Sequence, residues 1–313
     1  MTTWAVLLVA ALLYSAMPPA VSQHYRRSFV RGPTNQRNSP YLNAHCVHCT
    51  LSDPFMRNMT MNVDRVRPQW YPVPWARVTL WKNVAPFWHA NSKGLVNGED
   101  SMLVGHNFVR DVHNGKEPRF EAPADVAFIV NHNRPGDSML EASLRAHKIK
   151  YMRLGRSYRP WDFFGKFQPV LKAIKAGKIT EKYLVYMDAR DTFLAKDPAH
   201  LVEDFLMYDA DLLLASTGRD EPANPVQRRF EMRVSPWSHY HNYVSTGGYM
   251  AKTEALVPLL EELEKSHWRN KIHKCPNEDN SQVRCFHMKF YPRVKVDSLS
   301  VLLSEHEPHM DQL

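Results

Sequence analysis

The stretch Lys182-Tyr-Leu-Val-Tyr-Met-Asp-Ala-Arg-Asp-Thr-Phe-Leu194 decides how this chain is read. Its apolar run Tyr183–Met187 is short, rich in β-formers and preceded by a helical pattern, so it predicts a buried strand. The run ends in two aspartates, Asp188 and Asp191. Carboxylates at the end of a buried strand require a partner. In open α/β sheets, ligands collect outside the carboxyl ends of the strands. Two oxygen donors there suit a hard divalent cation, Mg²⁺ or Mn²⁺, itself bound to a diphosphate. The plainer alternative is a cap, with Asp191 at the start of a helix over Thr192–Phe205.

Working outward, the pattern before and after this strand alternates. Asp125–Val130 reads as a strand ending in Asn131-His-Asn-Arg134, then Asp137–His147 as a helix and Lys150–Leu154 as a second short strand. Phe163–Ala176 carries Phe167, Val170, Leu171 and Ile174 on one helical face and stops at Gly177. After the central strand come a helix over His200–Tyr208 and a strand over Asp211–Ala215. Such alternation is the signature of a mostly parallel sheet flanked by helices, an α/β fold. Val244-Ser-Thr-Gly-Gly-Tyr-Met250 places a glycine pair before a helix over Thr253–Glu264. By itself the pair reads as a turn. An acidic loop, Cys275–Asn280, leads to Val283–Phe290, and a strand-like run over Val294–Leu303 ends the fold.

The chain divides into four expected parts. Residues 1–22 read as a secretory signal peptide: an apolar core over Trp4–Met17, then Pro18-Pro19 and the small-residue site Ala20-Val-Ser22. The core is short for a bilayer span, and the rival, a type II signal anchor, is disfavoured by Arg26, Arg27 and Arg31 on its far side. Residues 23–120 read as an irregular stem or accessory segment in which Pro and Trp recur without a sustained period. Residues 121–303 hold the α/β pattern, and 304–313 form a polar tail. The net charge of +8 is spread thinly, with no Lys/Arg block that would read as a nucleic-acid motif. In an oxidising lumen, Cys46 with Cys49 and Cys275 with Cys285 default to two local disulfides. Zinc held by His45, Cys46, His48 and Cys49 is the weaker alternative, because four ligands within five residues wrap a tetrahedral ion poorly. Asn58-Met-Thr60 is a glycosylation acceptor that suits an exposed luminal segment.

In order and spacing these pieces resemble a GT-A nucleotide-sugar glycosyltransferase, with the nearest likeness to the glycosyltransferase domain of procollagen lysyl hydroxylases. Three features carry it, over roughly residues 124–303. The helix Lys166–Ile174 leads into Tyr183–Asp191, whose Asp188-Ala-Arg-Asp191 looks like the family's metal-binding Asp-x-x-Asp. A Pro-x-x-Leu-x-x-x-Phe helix follows at Pro198–Phe205. Val244–Met250 then resembles the small-Gly-Gly-aromatic turn of the sugar pocket. The resemblance implies that Asp188 and Asp191 bind Mn²⁺ or Mg²⁺ and, through it, the diphosphate of a UDP-sugar. It further implies Val130 and Asn131 beside the uracil and ribose, Lys166 near the nucleotide, and Thr246, Gly247 and Gly248 shaping the donor-sugar pocket. Asp279 would be the catalytic acidic group facing the donor sugar or the acceptor.

Two departures stand out. Where the family shows Asp-Asp-Gln or Asp-Gln before its last helix, this chain reads Asp279-Asn280-Ser281-Gln282. The family's third metal ligand comes from a His-Gly motif, and no His-Gly occurs here; His306 and His309 are the histidines near that position. The expected function is therefore a metal-dependent glycosyltransferase that moves a hexose from a UDP-sugar to a protein or glycan hydroxyl. It would act in the secretory pathway lumen (ER or Golgi) or after secretion, with no nucleic-acid partner and no firm membrane span. The alternative is a catalytically impaired GT-A-fold binding protein with an incomplete metal shell. A hydrolase lacks support, since neither a nucleophile elbow nor His-Glu-x-x-His is present.

Overall fold

A computed structural model of the chain describes residues 58–59, 61–67, 86–89, 97–159, 161–218, 225–235, 243–272 and 279–305. The expected signal peptide, the Cys46/Cys49 pair, most of the Pro/Trp-rich run, Cys275, His306 and His309 lie outside the described residues. In chain order the strands and helices are β1 (Phe87–His89), α1 (Asn97–His113), β2 (Val126–Asn131), α2 (Met139–Ala146), β3 (Met152–Leu154), α3 (Gln168–Lys175), β4 (Tyr183–Met187), β5 (Thr192–Leu194), α4 (Leu201–Met207), β6 (Leu212–Thr217), α5 (Pro225–Val234), β7 (Tyr243–Lys252), α6 (Thr253–Ile272), α7 (Asp279–Phe290), β8 (Val294–Val296) and β9 (Leu303–Glu305).

The main sheet has six strands in the order β3-β2-β4-β7-β6-β8. β2 runs parallel to β3 and β4, and β6 runs parallel to β8, whereas β7 is antiparallel to both its neighbours. The chain is therefore a mixed α/β protein with a mostly parallel sheet flanked by helices. β2 and β4 read as unbroken apolar runs because both their faces are covered. Ala127, Ile129, Leu184 and Tyr186 point into one core with Val170 and Leu171 of α3 and Leu256 and Leu260 of α6. Phe128, Val130, Val185 and Met187 point into the other, with Leu140 and Leu144 of α2 and Phe205 of α4. Each such side chain, fully buried, contributes about 1.5–3 kcal/mol of transfer free energy, and this fixes the register of the central pair.

Local chemistry sets the element ends. Ser138 opens α2 with a capping box: its hydroxyl accepts from the Glu141 N–H, and the Glu141 carboxylate accepts from the Ser138 N–H. Asp162 caps a 3₁₀ turn over Phe163–Lys166, and Pro169 then starts α3 separately. The single helix expected over Phe163–Ala176 is thus two elements.

Other expectations change as well. Thr192–Phe205 is not one helix, since Thr192–Leu194 forms β5 and pairs antiparallel with β1. β1 also pairs in parallel with β9, which completes a three-stranded sheet in the order β5-β1-β9. Residues 23–120 are not irregular throughout, because β1 and the seventeen-residue α1 lie within them. The run Val294–Leu303 breaks at Asp297, whose carboxylate accepts from the N–H groups of Val301 and Leu302 at 2.9 and 2.6 Å and from the Tyr208 hydroxyl at 2.7 Å. The Gly-Gly pair lies inside β7 rather than in a turn. Cys285 on α7 is disulfide-bonded, and the three other cysteines lie outside the described residues. Among the described residues, no helix is long and apolar enough to cross a membrane.

Candidate functional site

The register Val130↔Met187 brings the carboxyl ends of β2 and β4 side by side. The chain leaves both strands on the same side of the sheet, and a cavity of about 670 Å³ opens there. That is within the range of pockets that hold drug-sized ligands and cofactors. Asn131 lines it from the end of β2, His132 and Arg134 from the loop that follows, Asp188, Arg190 and Asp191 from the turn after β4, and Lys166 from the 3₁₀ turn.

Asp188 is held from three directions. Its Oδ2 accepts from Lys166 Nζ at 3.0 Å, its Oδ1 accepts from the Tyr186 hydroxyl at 2.7 Å, and its N–H donates to the Gly247 carbonyl at 2.7 Å. Lys166 Nζ also donates to the carbonyl and hydroxyl oxygens of Thr246, at 3.2 and 3.3 Å. Those acceptors are available because β7 bulges. On its β6 side the register jumps from Leu214↔Tyr249 to Ala215↔Ser245, so Thr246–Gly248 have no register partner in β6. Gly248 packs closely: a Cβ there would lie 2.4 Å from Met187 Sδ, so the methionine side chain would have to shift.

Period-2 geometry places Tyr186 and Asp188 on one face of their strand. The Tyr186 ring stacks on Tyr249 at 4.8 Å, and Tyr249 stacks on Phe167 at 5.4 Å. This aromatic column runs from the core to the base of the cavity and holds the hydroxyl of Tyr186 against Asp188. Burial pushes the Tyr249 phenol far above its ordinary range, so that ring stays neutral.

The loop after β2 is braced by a second network. Glu141, almost wholly buried, accepts from the Ser138 N–H at 2.7 Å, bonds His132 Nε2 at 3.0 Å, and lies 3.4 Å from Arg153 Nε. Burial raises the Glu141 carboxyl, but the bonds from Ser138 and His132 and the Arg153 charge outweigh it and hold the group below its usual value. Arg153 donates to the carbonyls of Arg134 and Gly136 at 3.2 and 2.7 Å. The Leu140 N–H donates to the Ala189 carbonyl at 3.2 Å, which ties the start of α2 to the Asp188–Asp191 turn.

Of the residues chosen from sequence, Asn131, Lys166, Asp188 and Asp191 line the one cavity. Asn131 spends its amide on the chain: Nδ2 donates to the Gly165 and Lys166 carbonyls at 2.7 and 3.2 Å, so it orients the turn that carries Lys166. Val130 is fully buried, with its side chain in the α2 core. Thr246 and Gly247 brace Lys166 and Asp188 from behind, and Gly248 packs on Met187. Asp279 is the first residue of α7, and its side chain lies outside the described residues. Sequence reasoning missed Tyr186, His132, Arg134 and Arg190. The Tyr-x-Asp spacing could have marked Tyr186, and the position of His132 and Arg134 just past a strand end could have marked both.

The donor chemistry suits a hard divalent cation, with the Asp188 and Asp191 carboxylates on one cavity wall. Among the described residues no three His, Cys, Asp or Glu side chains gather as a closed shell. No protein-family model matches the chain, and no curated protein matches it in sequence. What can be defined is the class: a mixed α/β protein with a polar, ionisable cavity at the carboxyl ends of adjacent parallel strands.

Proposed function

We propose that the protein is a metal-dependent glycosyltransferase that moves a hexose from a UDP-sugar to a protein or glycan hydroxyl, in the lumen of the secretory pathway or after secretion. The observation that carries this reading is the convergence of Asn131, Lys166, Asp188 and Asp191 on a single cavity. They were chosen from sequence for places beside the nucleotide, the phosphates and the metal, and they come from three separate elements.

In this reading Asp188 and Asp191 hold Mn²⁺ or Mg²⁺, which supplies Lewis-acid neutralisation of the leaving diphosphate. Lys166, bonded to Asp188 at the cavity wall, would add positive charge beside the phosphates where the anomeric C–O bond breaks when Asp188 and Asp191 hold the cation. Tyr186 and the Gly247 carbonyl keep Asp188 aimed throughout. Asn131 orients Lys166 through the backbone of the 3₁₀ turn. Asp279 remains the acidic group proposed for the sugar or acceptor side.

One observation favours a second reading, a non-catalytic GT-A-like binding protein. Lys166 already supplies a positive charge 3.0 Å from Asp188, where a divalent cation would otherwise be needed. The deciding experiment is Mn²⁺-dependent UDP-sugar hydrolysis across several UDP-sugars, with wild type beside Asp188→Ala/Asp191→Ala. Metal-dependent UDP release that disappears in the double variant is the expected result. UDP binding without release would favour the binding protein, and absence of both would sink the two readings together.

A further inference from the structure

Arg134, Lys166 and Arg190 line the cavity together with Asp137, Asp188 and Asp191, and the two arginines are not spent on these carboxylates. Asp188 is answered by Lys166, and Asp137, on the opposite rim, is answered by Arg145 at 2.8 Å and Arg153 at 3.8 Å. The Arg145 bond holds the Asp137 carboxyl below its usual range. Arg134 and Arg190 remain, and among the described residues neither has a carboxylate within ion-pair distance. Both line the cavity.

Their placement follows from the sheet. Val130 and Met187 are register partners on adjacent parallel strands, so Arg134 stands four residues beyond one partner and Arg190 three beyond the other. The two residues thus line the cavity from the loops that leave two adjacent parallel strands. Both backbones are braced. The Arg134 carbonyl accepts from Arg153, and the neighbouring Asn133 side chain donates to the Tyr158 carbonyl at 3.1 Å. Arg190 sits in the turn held by the Leu140–Ala189 and Asp188–Gly247 backbone bonds. A guanidinium is always charged, and its planar fork matches two oxygens of one phosphate. Two such forks in one cavity match a diphosphate better than a single carboxylate or an uncharged sugar.

We propose that Arg134 and Arg190 clamp the diphosphate of the nucleotide, so that nucleoside diphosphate binds here even without a divalent cation. The clamp rests on the reading of this cavity as a nucleotide-sugar site and adds to it a metal-independent source of affinity.

The test is calorimetric titration of the intact protein with UDP and with inorganic pyrophosphate, in EDTA and in Mn²⁺. Wild type is compared with Arg134→Gln/Arg190→Gln, Arg134→Lys/Arg190→Lys and Asp188→Asn/Asp191→Asn. Both arginines are exposed, so the variants keep the wild-type fold, which far-UV circular dichroism checks. In EDTA, wild type should bind both ligands, and the glutamine pair should weaken both by about a hundredfold, roughly tenfold for each charge-assisted contact. The lysine pair should fall between, since an ammonium keeps the charge but loses the fork. UDP binding that needs Mn²⁺, fails in the aspartate variant and is intact in the glutamine pair would overturn the clamp and leave the transferase reading standing. Arginine-dependent binding of pyrophosphate with no preference for UDP and no effect of Mn²⁺ would keep the clamp and remove the nucleotide-sugar reading. If wild type binds neither ligand under any condition, both fall.

Discussion

Two ion pairs in this molecule show how differently charge is used. Arg284 of α7 and Glu231 of α5 are both fully buried, with Arg284 Nε at 3.1 and 3.0 Å from the two carboxylate oxygens and Nη2 at 2.6 Å from one of them. Lys166 and Asp188 lie at the wall of a cavity, with side chains 14% and 25% exposed. The first pair is sealed by packing and can hardly change partners. The second can trade a protein partner for water, a cation or a phosphate at small cost. Partial exposure, rather than the presence of charge, separates the pair that serves the fold from the pair that can serve a ligand.

The comparison breaks first at its buried half. Arg284→Met should cost about 3–5 kcal/mol, because it removes the guanidinium that answers the charge of the fully buried Glu231. Urea unfolding would read this directly, and Glu231→Leu/Arg284→Met together should recover most of it. A loss below 1 kcal/mol in the single variant would mean that the pair is not sealed as described.

The next test uses acid. His287 lies beside Arg284, between the rings of Phe230 and Tyr291, and neither of its ring nitrogens has a hydrogen-bond partner. Burial, aided by the Arg284 charge, lowers its pKa to about 3. An unfolded chain binds that proton near the ordinary histidine value, so between about 6.5 and 3 the unfolded state holds more protons. Stability should therefore fall as pH drops through that window, by up to about 4 kcal/mol. His287→Phe should flatten this part of the stability–pH curve. An identical slope in wild type and variant would rule out His287 as its source.

The half-open pair should respond in the opposite manner. Lys166→Met should change stability by no more than about 1 kcal/mol, the range of partly exposed ion pairs. Its main effect should be on ligands, with UDP affinity in Mn²⁺ reduced about tenfold by the loss of one charge-assisted contact. A variant that loses stability while retaining UDP affinity would reverse the assignment of the two pairs.

How much of this could be read in the chain differs by region. β2 and β4 were legible because a strand covered on both faces is an uninterrupted apolar run, and α2 because its Ser138/Glu141 capping box is local. Asp188 and Asp191 were legible for the same reason, as polar groups that interrupt an apolar run. β1, β5 and β9 were not. Each has three residues, and their pairing joins segments separated by about a hundred positions or more, which leaves no periodicity to detect. The glycine pair was misread as a turn because the bulge that accommodates it depends on Leu214 and Ala215 in another strand. Arg190 gave no signal of its own, and its relationship to Arg134 exists only through the Val130↔Met187 register.

The small sheet β5-β1-β9 also has a practical meaning for anyone producing the protein. β5 begins at Thr192, immediately after Asp191, and its two companions in the sheet come from the flanks of the α/β region. A recombinant fragment cut at Ala124, where the alternating pattern starts, would omit β1 and leave β5 with an unsatisfied edge next to the aspartate turn. Boundaries that retain 86–305 keep that clasp closed, so the choice of cloning limits becomes a choice about the geometry of the cavity.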